Sequence, residues 1–197
     1  MSVSSNAVTA LSYYVGNNLL TRPVANGVVA VFEAESGTNP TATNNAGTDA
    51  GGVLNPNGAI GIAQWNGARQ AALQAFANSQ KTDPLGLETQ LAFFLFEAEK
   101  SYAPTWAALK PGTPTATVIQ AMVTDYERPK DAQGEIGKAT SIADQLALVV
   151  IPPTPTPIPP ITDPELVAIQ EIWLILSSFD KVASTRILAY LTQRVET

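Results

Sequence analysis

A mainly α domain with one small β-hairpin, followed by a Pro-rich linker and a C-terminal helical hairpin, is the architecture the sequence predicts. Three observations predict it. Apolar residues recur at helical spacing through most of residues 5–149. Between 37 and 64 the texture changes to Gly, Asn and Thr around two short apolar pieces, which is turn chemistry with room for a small hairpin at most. At 151–164, "IPPTPTPIPPITDP" carries Pro too densely for a helix or a central strand.

In chain order, the spacing predicts helices over 5–20, 25–36, 66–79, 84–100, 115–126 and 131–149, with Pro23, Pro84 and Pro129 near their edges as starts and breaks. These make a body of residues 1–150. Residues 151–164 read as a semi-rigid polyproline spacer. In 165–197, Val167, Ile169, Ile172, Trp173 and Leu176, then Val182, Ile187, Leu188 and Leu191, fall near helical spacing around "SSFDK". Two helices this short rarely fold alone, so the expectation is that they dock on the body, on another copy or on another protein.

Composition excludes more chemistry than it names. There is no cysteine, which removes disulfides, thiolate metal sites and thiol nucleophiles. There is no histidine either, so no Ser-His-Asp or Cys-His pair and no zinc site with imidazole ligands can be built. Any general acid or base is then Asp, Glu, Lys or Tyr. A net charge of −6 opposes counterion-release binding to nucleic acid. "LAFFLF" and "EIWLILSSF" fall short of the roughly 20 residues of a membrane span. The first twenty residues lack the charged and apolar regions of a secretion signal, so the expectation is a soluble chain.

The stretch "VFEAESGTNP" at 31–40 holds the sharpest candidate. On a helix from Val24, Val28, Val31 and Glu35 project to one side, while Glu33 points away and reads as the solvated carboxylate. Glu35 ends an apolar stripe. Burial there would raise its pKa and keep a proton available, as a general acid requires; the alternative is a helix-end carboxylate that swings into water where Gly37 breaks the helix.

"ESGTNP" at 35–40, followed after a Gly/Asn-rich loop by "GAIGIAQW" at 58–65, resembles the signature of the lysozyme-like superfamily, in particular goose-type lysozymes, soluble lytic transglycosylases and phage tail lysozymes. "QWNGARQAALQAF", with Arg69 after the tryptophan, and "DYERP" at 125–129 are similar to the phage tail lysozyme pattern. The resemblance covers about residues 5–149. It implies a lysozyme-like domain in which Glu35 protonates the glycosidic oxygen between N-acetylmuramic acid and N-acetylglucosamine in peptidoglycan.

Carried over position by position, it offers Ser36 as a hydrogen-bonding neighbour of the carboxylate or the sugar, or else a helix-end hydroxyl. Gly58, with Gly61, lets backbone approach a sugar or simply turns the chain. Gln64 offers a donor and an acceptor to an N-acetyl group. Trp65 either stacks on a sugar face or anchors the hairpin to the core. Asp49 is placed by chain order where goose-type enzymes draw a water-positioning aspartate, or it serves the "TDAGG" turn. Glu127, beside the cleft tyrosine candidate Tyr126, is a second carboxylate or one half of a salt bridge with Arg69 or Arg128. Transglycosylases commonly carry Leu-Met before the glutamine, where this chain has Ile62-Ala63.

The resemblance further implies no metal and no organic cofactor. The missing secretion signal and the docking tail look like those of a phage-derived protein, and the Pro-rich spacer leading to an apolar-faced helical pair suits tethering, so the expectation is a place on the virion tail with other tail proteins, or else host cytoplasm and release at lysis. A lytic transglycosylase and a catalytically silent glycan-binding tail protein are the competing readings.

Overall fold

The computed structural model describes residues 3–44 and 58–151. All of these belong to the unit Met1–Thr154. Asp49, nearly all of the spacer and the C-terminal helices lie outside the described residues.

Helix α1, Ser5–Gly16, is started by Ser4, whose Oγ accepts from the Ala7 amide at 3.1 Å. It ends four residues before the predicted stop, because the chain turns at Asn18 in the left-handed region, φ 55°. Helix α2, Arg22–Ser36, takes Pro23 into its first turn, where a missing amide hydrogen costs nothing. From Val24 to Phe32 every residue of α2 is buried. A helix apolar on all sides belongs inside a bundle, and α1, α6 (Thr115–Ala121) and α7 (Ala132–Ala147) surround it. Gly27 permits the close approach of α6: a Cβ there would stand 2.8 Å from that of Val118. Arg22 fastens the far end of the domain, its Nη2 donating to the carbonyls of Leu146 at 2.8 Å and Val149 at 2.6 Å.

The hairpin is as small as its composition implies. Strand β1, Thr43–Asn44, pairs antiparallel with β2, Ala59–Ile60, and Ile60 then bridges to Trp65 across a tight turn. That turn needs Gly61, at φ 77°, where a Cβ would lie 2.5 Å from Gln90 Oε1. Gln90 is fully buried on α4, Leu87–Ser101. It accepts from the Ile62 amide at 3.0 Å and donates to the carbonyls of Pro40 at 2.9 Å and Pro84 at 2.8 Å. One amide side chain thus ties the exit of α2, the hairpin turn and the start of α4 together.

Helix α3, Gly67–Gln80, leads to α4, whose buried face carries Leu91, Phe93, Phe94 and Ala98. Two differences from the sequence expectation follow. A short helix α5, Ala103–Ala108, lies between the helices expected over 84–100 and 115–126; its proline sits in the first turn, where it is tolerated. The predicted helix over 115–126 is α6 followed by a π-helical turn, Met122–Glu127, closed by the Arg128 amide bonding to the Val123 carbonyl five residues back. The inserted residue re-aims the side chains, burying Met122, Val123 and Tyr126 together.

Candidate active site

Glu35 stands in the last turn of α2, half-buried, just before Gly37 ends the helix in the left-handed conformation at φ 66°. Its carboxyl is pushed above the usual range. Burial is the main cause and the charge of Glu135 adds to it, while Lys138 pulls the other way. Glu33 corrects the expectation of a solvated carboxylate. It accepts from the Ser4 amide and Oγ, both at 2.8 Å, and from Thr38 Oγ1 at 2.8 Å. Because α2 is the central helix, α1 covers the side that periodicity assigned to water, and the N-terminus of α1 is a favourable place for an anion.

Ser36 Oγ lies 3.1 Å from the Phe32 carbonyl and 2.9 Å from that of Ile62, so this hydroxyl clips the hairpin turn to the end of α2. Gly58 is buried at the start of β2. Gln64, half-buried at φ 47°, donates from Nε2 to the Gly61 carbonyl at 2.9 Å.

Trp65 takes the core-anchoring one of its two expected places, and Tyr126 corrects the expectation of a cleft tyrosine. Trp65 is 0% exposed and Tyr126 2%, so neither presents a ring face to a saccharide. Trp65 Nε1 donates to Glu97 Oε2 at 3.0 Å and to the Tyr126 hydroxyl at 2.9 Å, and that hydroxyl donates to Glu97 Oε2 at 2.6 Å. Burial, its largest influence, raises the Tyr126 hydroxyl well above its usual range and keeps it a donor. Arg69 completes the network. Its guanidinium forks onto Glu97, Nε to Oε1 at 2.9 Å and Nη2 to Oε2 at 3.0 Å, and lies 4.4 Å from the centre of the Tyr126 ring. Arg69 therefore pairs with Glu97, and Arg128 with Asp125 at 3.5 Å, rather than either with Glu127.

The π-helical turn delivers Glu127 to the carboxylates instead. Glu127 is half-buried as a residue, yet its Oε1 is sealed from solvent and has no hydrogen-bond partner among the described residues. Its carboxyl is raised well above the usual range, by burial first and then by Glu35; Arg69 opposes this, and Glu97 and Glu135 add to it. Glu135, on α7, also has a sealed Oε1 with no hydrogen-bond partner among the described residues; it is ion-paired with Lys138 Nζ at 3.6 Å.

Lys138 thus reaches both Glu135 and the peptide before Glu35, the carboxyl of Glu127 feels those of Glu35 and Glu135, and Trp65, Arg69, Glu97 and Tyr126 form one hydrogen-bonded network. Sequence reasoning missed Gln90, Glu97, Glu135 and Lys138. A signal for the first two was present: Gln90 and Glu97 sit seven apart on an apolar helix, hence on one face. Among the described residues no group of acidic side chains is arranged to hold a metal ion.

A comparison with curated proteins finds no match. The family profile described as phage tail lysozyme matches residues 5–147, a span that holds Glu35, the hairpin and the π-helical turn. The order of these parts and the helical frame that assembles them agree with that match, and the chain belongs to the phage tail lysozyme family.

Proposed function

We propose that the protein is a muramidase that cleaves the bond between N-acetylmuramic acid and N-acetylglucosamine in peptidoglycan, with Glu35 as the general acid. The observation that carries this reading is a half-buried carboxyl at the end of the central helix, beside the hairpin, held above its usual pKa by burial and a neighbouring carboxylate. Such a group keeps its proton to higher pH than a solvated carboxyl does and can deliver it to a leaving oxygen. Glu127 retains its proton more firmly still, because burial disfavours its charged form and the acidic groups Glu35, Glu97 and Glu135 oppose its ionisation. It is better suited to donating a hydrogen bond than to activating water.

That property supports a second reading. Inverting hydrolysis needs an ionised second carboxylate. Asp49 lies outside the described residues, and Glu127 resists ionisation. A lytic transglycosylase needs only the one acid, because a hydroxyl of the sugar itself attacks. Mass spectrometry of muropeptides released from purified cell walls separates the two. Reducing ends are the expected products of the muramidase; anhydro-muramyl ends would replace it with the transglycosylase, and no released fragments would leave a binding role.

The family, together with the Pro-rich spacer and the apolar periodicity beyond it, supports a place on the virion tail. Peptide mass spectrometry of purified particles is expected to find the chain. Its absence from particles, with abundance in lysates, would make it a protein released at lysis.

A further inference from the structure

We propose that Lys138 and Glu135, three residues apart on α7, are a positioning pair for Glu35: Lys138, paired with Glu135, is fastened to the last turn of α2 at the peptide that precedes the general acid. The inference rests on the reading of Glu35 as the acid.

The clamp is geometric. Lys138 Nζ donates to the Ala34 carbonyl at 2.6 Å, the peptide group joining Ala34 to Glu35. That carbonyl is among the last four of α2, which no amide within the helix satisfies, and a cation is favourable at this end of a helix. The same ammonium lies 3.6 Å from Glu135 Oε1, an oxygen shut off from solvent with no hydrogen-bond partner. A spacing of three on α7 puts both side chains on one face, and that face packs on α2.

The pair is the main charged company of Glu35. Glu135 and Lys138 act on it from α7, and Glu35 in turn acts on Glu127 of the π-helical turn. Helix α6 carries no titratable residue. Helix α1 carries Tyr13, beside Glu88, and Tyr14, whose hydroxyl is bonded to the Leu91 carbonyl. On α2 itself, Glu33 is turned to Ser4 and Thr38. The two members act oppositely on Glu35, Glu135 raising its pKa and Lys138 lowering it, on top of the larger effect of burial. A general acid works best when it is protonated at the working pH and still releases its proton, so such a pair tunes both requirements. Lys138 is more than half exposed, which screens its share.

The test uses the full chain. The Glu35 side-chain carboxyl is titrated by carbon-13 NMR, and peptidoglycan solubilisation is measured against pH, in wild type, Lys138→Met, Lys138→Arg and Glu135→Gln. In Lys138→Met the midpoint and the high-pH limb of activity are expected at higher pH. In Glu135→Gln both are expected at lower pH, and in Lys138→Arg both stay in place. A purely structural role for Lys138 would lower activity equally at all pH values and leave the midpoint alone.

Midpoints that stay put, or that move the same way in Lys138→Met and Glu135→Gln, overturn the proposal. If Lys138→Met does not fold by near-ultraviolet circular dichroism, the downward shift in Glu135→Gln with no shift in Lys138→Arg decides it. Wild-type protein that cleaves nothing while the midpoints diverge ends the enzymatic reading and keeps the pair. Active wild type with unmoved midpoints ends the pair and keeps the reading.

Discussion

Glu35→Gln is expected to lower peptidoglycan cleavage by about 100- to 10,000-fold, the usual worth of a positioned general acid, and to leave the fold intact. The amide has the shape of the protonated carboxyl but no proton to give. The sign of the stability effect follows from the raised pKa. A carboxyl whose folded pKa lies above its unfolded one contributes stability that is fully present below the unfolded value. That contribution is lost as pH rises through the folded value. Gln never ionises, so at neutral pH the variant should unfold at the same denaturant concentration as wild type or slightly later. In wild type, activity should fall as pH rises through the same folded value. Release of muropeptides by the variant at wild-type rates would remove Glu35 from the chemistry.

Glu97→Ala is expected to carry the largest structural cost, about 3–5 kcal/mol, the range for removing one partner of a buried ion pair. Glu97 is 7% exposed and accepts from Trp65, from Tyr126 and twice from Arg69. Its removal leaves a guanidinium stranded beside two aromatic rings, those of Tyr126 and Tyr102. For a domain of this size, the melting temperature should drop by about 6–20 °C. Urea unfolding followed by tryptophan fluorescence measures it, since Trp65 is itself in the network. Activity should fall even where the variant stays folded, because the network seats the π-helical turn that carries Glu127. A loss under about 1 kcal/mol would mean the network contributes no more than a surface ion pair.

The sequence by itself determined that the body is helical, that one short hairpin interrupts it after the second helix, and that Glu35 lies in the last turn of that helix, two residues before Gly37. It also determined that imidazole and thiol chemistry are closed to this chain. These are local matters: periodicity, proline and glycine positions, and the inventory of side chains act within a few residues. Only the tertiary structure decided that Trp65 and Tyr126 lie in the core, that Glu33 is held by Ser4, and that Lys138 joins Glu135 to the peptide before Glu35. These depend on who stands opposite. Periodicity aims a side chain relative to its own helix axis, but the partner comes from elsewhere in the chain, 29 residues away for Ser4 and Glu33, 61 for Trp65 and Tyr126, and 104 for Ala34 and Lys138. The π-helical turn widened that gap, since one inserted residue redirected Tyr126 and Glu127 and no propensity of "MVTDYE" foretold it.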